Sequence, residues 1–237
     1  MLFTRDFYLR ASDFDRYDKI TPRAILELFQ DVAGNHAENM GIGFDSLIKN
    51  NLIWVIVRTK FTILKPLKRY STVTVKTWPL KPQRFIFRRE YLIIDDSGDI
   101  AVRGTADWMI IDSNTRSLTS ANAVYPENAV YIEELALDEK LKKIKEIEGE
   151  TATLNVTSHY NDIDLNGHVN NTKYADFAIN AINPQNKEIV SFQIDYLKEV
   201  LNGEEIKLTA VTSDDKTVVK GENFDIEKKF ICEVIFK

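Results

Sequence analysis

Cysteine is almost absent. Cys232 is the single cysteine in 237 residues, so no intramolecular disulfide and no cysteine-rich zinc site can form. That points to a reducing compartment. Long hydrophobic runs are missing too. Leu52-Ile53-Trp54-Val55-Ile56-Val57 is the longest, far too short to span a bilayer. The opening, MLFTRDFYLR, has charges within its first residues and no apolar core, unlike a secretory signal. A cytoplasmic protein is expected. There is no excess of positive charge: 31 basic residues face 36 acidic ones, a net charge of −5. An acidic chain is a poor partner for nucleic acid. No glycine-rich phosphate loop and no cluster with metal-ligand spacing is present, so no cofactor is expected. Apolar residues make up 44% and charged residues 28%. That composition excludes a disordered chain, a collagen-like fibre and a coiled-coil rod. A chain of this length buries about 70–75% of its unfolded surface and needs no staple.

What is present is periodic. From Pro22 to Met40, Ile25, Leu28, Phe29, Val32, His36 and Met40 recur at spacings of three and four, which predicts a helix. Thr21 before Pro22 is a start signal, and Gly41 is a stop. Segments rich in β-branched and aromatic residues follow: Leu52–Lys60, Ser71–Trp78, Phe85–Ile94 and Ile100–Ile111. Asp95-Asp96-Ser97-Gly98 reads as a hairpin turn. The stretch from about Val124 to Glu150, highly charged from Glu133 on, reads as a connector, partly helical. The chain then repeats itself. At an offset of 149, Asp13, Asp15, Ile25 and Leu28 fall on Asp162, Asp164, Tyr174 and Phe177. At an offset of 133, Phe61-Thr62-Ile63-Leu64-Lys65 falls on Ile194-Asp195-Tyr196-Leu197-Lys198. The difference of 16 predicts a longer helix and loop in the first copy. Two helix-plus-meander units are expected: residues 1–123, a connector 124–150, and 151–237. Each sheet buries its apolar face against its own helix, the second running from about Asn171 to Ile182.

The chemistry concentrates in Asp162-Ile163-Asp164-Leu165-Asn166-Gly167-His168-Val169-Asn170-Asn171. Asp164, Asn166 and His168 are spaced by two, so in extended chain they share a face. A helix start follows, whose N–H groups could meet a developing oxyanion, and Gly167 would let an atom approach the backbone. A carboxylate, an amide and an imidazole together suit acyl transfer. Asp and Asn before a helix also form plain turns and caps. The first copy holds Asp15, Tyr17 and Lys19 in these slots, with Pro66 opposite Glu199, so only the second copy carries the full set. His36 reads as a core histidine, and His159 as a weak outlier to the site. Trp54, Trp78 and Trp108 read as packing residues.

The string Asp164-Leu165-Asn166-Gly167-His168-Val169-Asn170-Asn171-Thr172-Lys173-Tyr174 resembles the signature of acyl-acyl carrier protein (ACP) thioesterases. Ile194-Asp195-Tyr196-Leu197-Lys198-Glu199-Val200 is similar to that family's second active-site strand. The resemblance spans nearly the whole chain, including Trp54-Val55-Ile56-Val57-Arg58 and Asp107-Trp108-Met109. It implies an α+β double hotdog, two long helices each wrapped by strands of one antiparallel sheet. It implies hydrolysis of fatty acyl-ACP, with Asp164, Asn166, His168 and Glu199 as the catalytic group and the first half shaping the acyl pocket. Val200 stands where plant members carry a cysteine, so a cysteine nucleophile is not expected. Whether Asp164 or Glu199 attacks directly or activates water stays open. The partner implied is the acyl-bearing carrier protein, and a homodimer is compatible. An acidic carrier needs a basic dock. Lys65, Lys68 and Arg69; Lys81, Arg84, Arg88 and Arg89; and Lys140, Lys142, Lys143 and Lys145 are the candidates. The rivals are an acyl-CoA thioesterase, a hotdog dehydratase, and a non-catalytic acyl-binding protein.

Overall fold

The computed structural model describes residues 1–120, 124–125, 130–139 and 141–237. Ten antiparallel strands form one sheet. They are β1 (Phe3–Tyr8), β2 (Leu52–Ile63), β3 (Thr72–Pro79), β4 (Phe87–Ile94), β5 (Ile100–Asp112), β6 (Glu150–Thr157), β7 (Ile189–Tyr196), β8 (Glu205–Ser213), β9 (Lys216–Glu222) and β10 (Lys228–Phe236). Their order is β1-β3-β4-β5-β2-β7-β10-β9-β8-β6. Read outward from the centre, the two halves have the same connectivity. The seam is β2 against β7, where Lys60 faces Gln193 and Arg58 faces Asp195. Lys60 and Gln193 are separated by the same 133 positions as the sequence repeat, so the repeat offset and the strand register agree. This is the double hotdog arrangement.

The long helix α1 (Pro22–Asn39) belongs to the first half. Thr21 caps it by accepting the Ala24 N–H. It ends in a Schellman motif: Gly41, at φ +73°, donates to Glu38 O, and Ile42 donates to Ala37 O. The short helix α2 (Phe44–Ile48) follows, and α3 (Lys173–Ile182) serves the second half. The spans of 18 and 10 residues, plus the 5 of α2 in the following loop, supply most of the expected difference of 16. Ile25, Phe29 and Val32 pack with Val73, Val75 and Tyr91. Tyr174, Ala175 and Ala178 pack with Ile206, Leu208 and Phe230, and one core joins both halves. Gly104 lets Phe29 reach the sheet, because a Cβ there would sit 2.3 Å from its ring. The Asp95–Gly98 turn forms as expected, with Asp95 Oδ1 accepting from Ser97 and Asp99.

Strand β1 has no counterpart among the sequence expectations, because FTRDFY is mostly exposed and is interrupted by the charged pair Arg5-Asp6. The connector differs as well. Residues 130–139 and 141–149 contain no helix. They run over the polar face of the sheet, whose side chains take up their backbone groups. Glu90 accepts the Ala136 N–H, Trp78 donates to Glu134 O, and Gln193 donates to Lys142 O. A charged segment that finds partners this way has no need of helical hydrogen bonds. The expected boundary at residue 123 and the basic residue Lys140 lie outside the described residues.

His36 is a core histidine. It is 4% exposed, stacks on Phe3 at 5.2 Å, and its Nδ1 lies 2.9 Å from an Arg89 amino group. Arg donates, so Nδ1 accepts and the ring is neutral. Burial, then the Arg89 charge, then the N-terminal charge push its pKa down to about 4. The unfolded chain takes up that proton near pH 6.5, the folded one only near 4. The stability tied to neutral His36 is therefore full above about pH 6.5 and lost as the pH falls towards 4. The loss should reach about 3 kcal/mol. In His36→Asn, whose Oδ1 can still accept from Arg89, the gap in Tm between pH 7 and pH 4.5 should narrow. An unchanged gap would show that His36 is not the group responsible.

Candidate active site

The segment after β6 folds into a loop that the first half also contains. Asp13 Oδ2 accepts the Arg10 N–H, and Asp162 Oδ2 accepts the His159 N–H. Asp15 donates its N–H to Lys19 O, as Asp164 does to His168 O. Asp15 Oδ1 accepts from Tyr17 N, and Asp164 Oδ1 accepts from Asn166 N at 2.8 Å. The turn-forming role of these aspartates is therefore real, and it is shared. Residues 164–167 form a tight turn, not the extended strand expected. Gly167, at φ +83°, makes that turn; nothing lies within 4 Å of where its Cβ would be. The helix start departs from expectation too. Asn170 takes the N–H groups of Thr172 and Lys173, through its side chain and carbonyl, so these are not free for an oxyanion.

The loop nevertheless carries its side chains to one place. Val169 donates to Val200 O, and His168 bridges Leu201, which draws Glu199 to the imidazole. His168 Nε2 lies 3.0 Å from Glu199 Oε2. Asp164, Asn166, His168 and Glu199 all line one cavity of about 290 Å³, with Trp54, Ile56 and Tyr196 among its other walls. The Val200 N–H donates to Tyr174 OH at 3.0 Å, which fixes the Glu199 segment to α3. Buried Lys229 holds the same segment from the other side. It donates to Glu199 O and pairs with Glu204 at 2.7 Å and Glu227 at 3.1 Å. Among the described residues, Asp164 Oδ2 makes no hydrogen bond, and no group of three or more His, Cys, Asp or Glu side chains could hold a metal ion.

A second cleft, of about 440 Å³, adjoins the first and shares Trp54, Asp164, Asn166 and Asn171 with it. The first half supplies most of its wall: Ala33, Gly34, Leu47, Phe87 and Trp108. So Trp54 and Trp108 do more than pack, whereas Trp78 is buried. The apolar stripe of α1 faces the core, and the cleft lies along the neighbouring side of that helix. Cys232 is fully buried on β10, and desolvation raises its pKa well above the usual thiol value. His159 is exposed and lines neither cavity.

Both parts of the chain match known domain families. Residues 1–127 match the acyl-ACP thioesterase N-terminal domain, and residues 145–232 match the acyl-ACP thioesterase C-terminal domain. The chain belongs to the acyl-ACP thioesterase family. It is 27% identical over 233 residues to the chloroplastic palmitoyl-acyl carrier protein thioesterase of Cuphea hookeriana, covering 91% of this chain and 55% of that protein. It is 30% identical over 221 residues to the chloroplastic dodecanoyl-acyl-carrier-protein hydrolase of Cinnamomum camphora, covering 84% and 56%. The chain thus spans a little over half the length of these curated relatives. A crystal structure of an acyl-ACP thioesterase from Bacteroides thetaiotaomicron superposes with a TM-score of 0.89 at 25% identity, covering 100% of this chain and 98% of that one.

In this acyl-ACP thioesterase fold, four of the seven residues in two of the expected basic docks are engaged internally. Lys65 pairs with Asp99, Arg69 with Asp18 and Arg88 with Asp107, and Arg89 is buried against His36. Lys142, Lys143 and Lys145 are exposed. Sequence reasoning missed one residue of the cavity wall altogether. Arg116, in the hairpin after β5, lines the cavity and contacts Glu199. No motif surrounds it, so no local signal could have found it. No helix among the described residues is long and apolar enough to cross a membrane.

Proposed function

We propose that the protein hydrolyses fatty acyl-ACP thioesters, releasing a free fatty acid and the carrier thiol, in the cytoplasm. The observation that carries this reading is the convergence of Asp164, Asn166, His168 and Glu199 on one cavity beside a largely first-half cleft. Residues 151–237 supply the catalytic group, and residues 1–123 hold the acyl chain. Glu199 is occupied by His168 and Arg116, whereas Asp164 keeps one oxygen unpartnered among the described residues. Asp164 is therefore assigned as the general base. It takes a proton from water as the water oxygen adds to the thioester carbonyl. The Asn166 amide donates to the oxyanion. Collapse breaks the C–S bond, and the proton that Asp164 took from water passes to His168 Nδ1 and on to the departing thiolate, while Glu199 accepts from Nε2–H and orients the ring throughout, so Asp164 and His168 end as they began. No cysteine takes part, since Cys232 is buried and does not line the cavity.

The test is thiol release from acyl-ACP and acyl-CoA of matched chain lengths. Faster turnover of acyl-ACP supports the reading. Equal or faster turnover of acyl-CoA assigns the site to a different carrier. No turnover of either sinks it. The cleft adds a size prediction. Gly34 lines it, and a Cβ there meets nothing within 4 Å. Gly34→Leu should narrow the cleft and move the preferred acyl chain to shorter lengths, with no loss of stability, since leucine outranks glycine in helices by about 0.5–1 kcal/mol. An unchanged chain-length profile would place the acyl group elsewhere.

A further inference from the structure

We propose that Arg116, from the half without the catalytic motif, is a positioning residue that sets Glu199 and through it His168. The inference rests on the functional reading above. Its basis is a relay of three side chains across the two halves. The Arg116 guanidinium lies 2.6 Å from Glu199 Oε1 and 2.5 Å from Oε2, and Oε2 lies 3.0 Å from His168 Nε2. All three line the cavity that holds Asp164 and Asn166. A carboxylate only accepts, so Nε2 carries the proton and Nδ1 is left free to act towards the cavity. Without Arg116, the half-exposed Glu199 can swing into solvent, and that tautomer is no longer favoured.

The hairpin is built to hold the arginine still. Arg116 sits at φ +59°, a left-handed conformation rare for a non-glycine residue and costing about 1 kcal/mol or more. Its N–H donates to Asp112 O at 2.8 Å, Asp112 Oδ1 gathers the N–H groups of Asn114 and Thr115, and Ser113 N donates to Asn51 O. Stability does not explain the arrangement. Arg116 and Glu199 are 49% and 38% exposed, and such surface pairs contribute about 0–1 kcal/mol. A salt bridge that adds little to folding, made from a strained backbone position, fits a role in orienting a catalytic histidine.

The test uses Arg116→Gln, Arg116→Lys, Glu199→Gln and the Arg116→Gln/Glu199→Gln double variant, each with kcat and KM measured on acyl-ACP. Arg116→Gln should lower kcat about tenfold, less than the hundredfold or more expected on losing an acid–base group, with KM within about twofold. Arg116→Lys should restore most of it, and the double variant should be no worse than Glu199→Gln alone. A raised KM with unchanged kcat would make Arg116 a substrate anchor and overturn the inference. So would a double variant whose loss is the product of the two single losses. A second readout needs no turnover: the ¹⁵N spectrum of the three histidine rings. Wild type should show one tautomer at His168, protonated at Nε2, and Arg116→Gln a mixture, with His36 and His159 unchanged. Identical His168 signals in both proteins would overturn the inference even if no thioester is cleaved, whereas an inactive wild type with the tautomer change would sink only the functional reading.

Discussion

Asp164→Asn should lower kcat/KM on acyl-ACP by about a hundredfold or more, while Asp15→Asn leaves it unchanged. The internal repeat supplies this control. Both aspartates build the same turn, each with Oδ1 accepting a backbone N–H two residues on. Asparagine keeps a carbonyl oxygen to accept that bond, so neither variant should lose its loop. What differs is the surroundings. Asp164 faces Asn166, His168 and Glu199 across a cavity. Around Asp15 the corresponding Tyr17 and Lys19 reach instead to Gln185 and to the Asn186 carbonyl. A turn-former and a general base are thus separated by one substitution made twice. His168→Ala should match the loss in Asp164→Asn, since in the proposed mechanism it removes the group that hands the proton to the thiolate. Equal, small effects at Asp15 and Asp164 would show that the motif is only a turn and cap. Circular dichroism on all three variants checks that the fold survives.

The same repeat explains why so much was legible. Helices α1 and α3, the four strands from β2 to β5 and the duplication follow from local periodicity and from residue identity at fixed offsets. Asp164, Asn166 and His168 lie within one turn, so sequence spacing placed them together, although by a bend and not by an extended chain. Glu199 needed the resemblance, because the bridge between His168 and Leu201 brings it in. Arg116 was invisible. Its contact with Glu199 spans 83 residues and exists only because β2 and β7 join the halves edge to edge. The connector misled for the opposite reason. Its charge pattern suggests a solvated helix, but the partners of its backbone are side chains on strands far away in sequence, such as Glu90 and Asp195.

Arg58→Met should cost about 3–5 kcal/mol, the range for breaking a buried ion pair by removing one partner. The reason lies in the register at the seam. Arg88, Asp107, Arg58 and Asp195 stand in one row across β4, β5, β2 and β7, alternating in charge. Arg88 grips Asp107 at 2.7 and 3.0 Å, and Arg58 grips Asp195 at 2.5 and 3.0 Å. The second pair is the drier one, 11% and 4% exposed. Asp195 also accepts the Ile144 N–H and a Gln193 amide hydrogen, so it ties the connector to the seam. Taking away the guanidinium leaves a buried carboxylate with only neutral donors, and that uncompensated charge is the cost. At roughly 2–4 °C per kcal/mol for a chain of this size, Tm should fall by about 10 °C. Replacing both partners, as Arg58→Met with Asp195→Leu, removes the stranded charge and should recover most of the loss. The comparison is made by urea unfolding of the two variants and wild type. If Arg58→Met unfolds within about 1 kcal/mol of wild type, the seam is held by its strand hydrogen bonds and apolar packing alone. If the double variant is no better than the single one, the pair acts through the Ile144 and Gln193 contacts that Asp195 makes, and the ion pair itself is incidental.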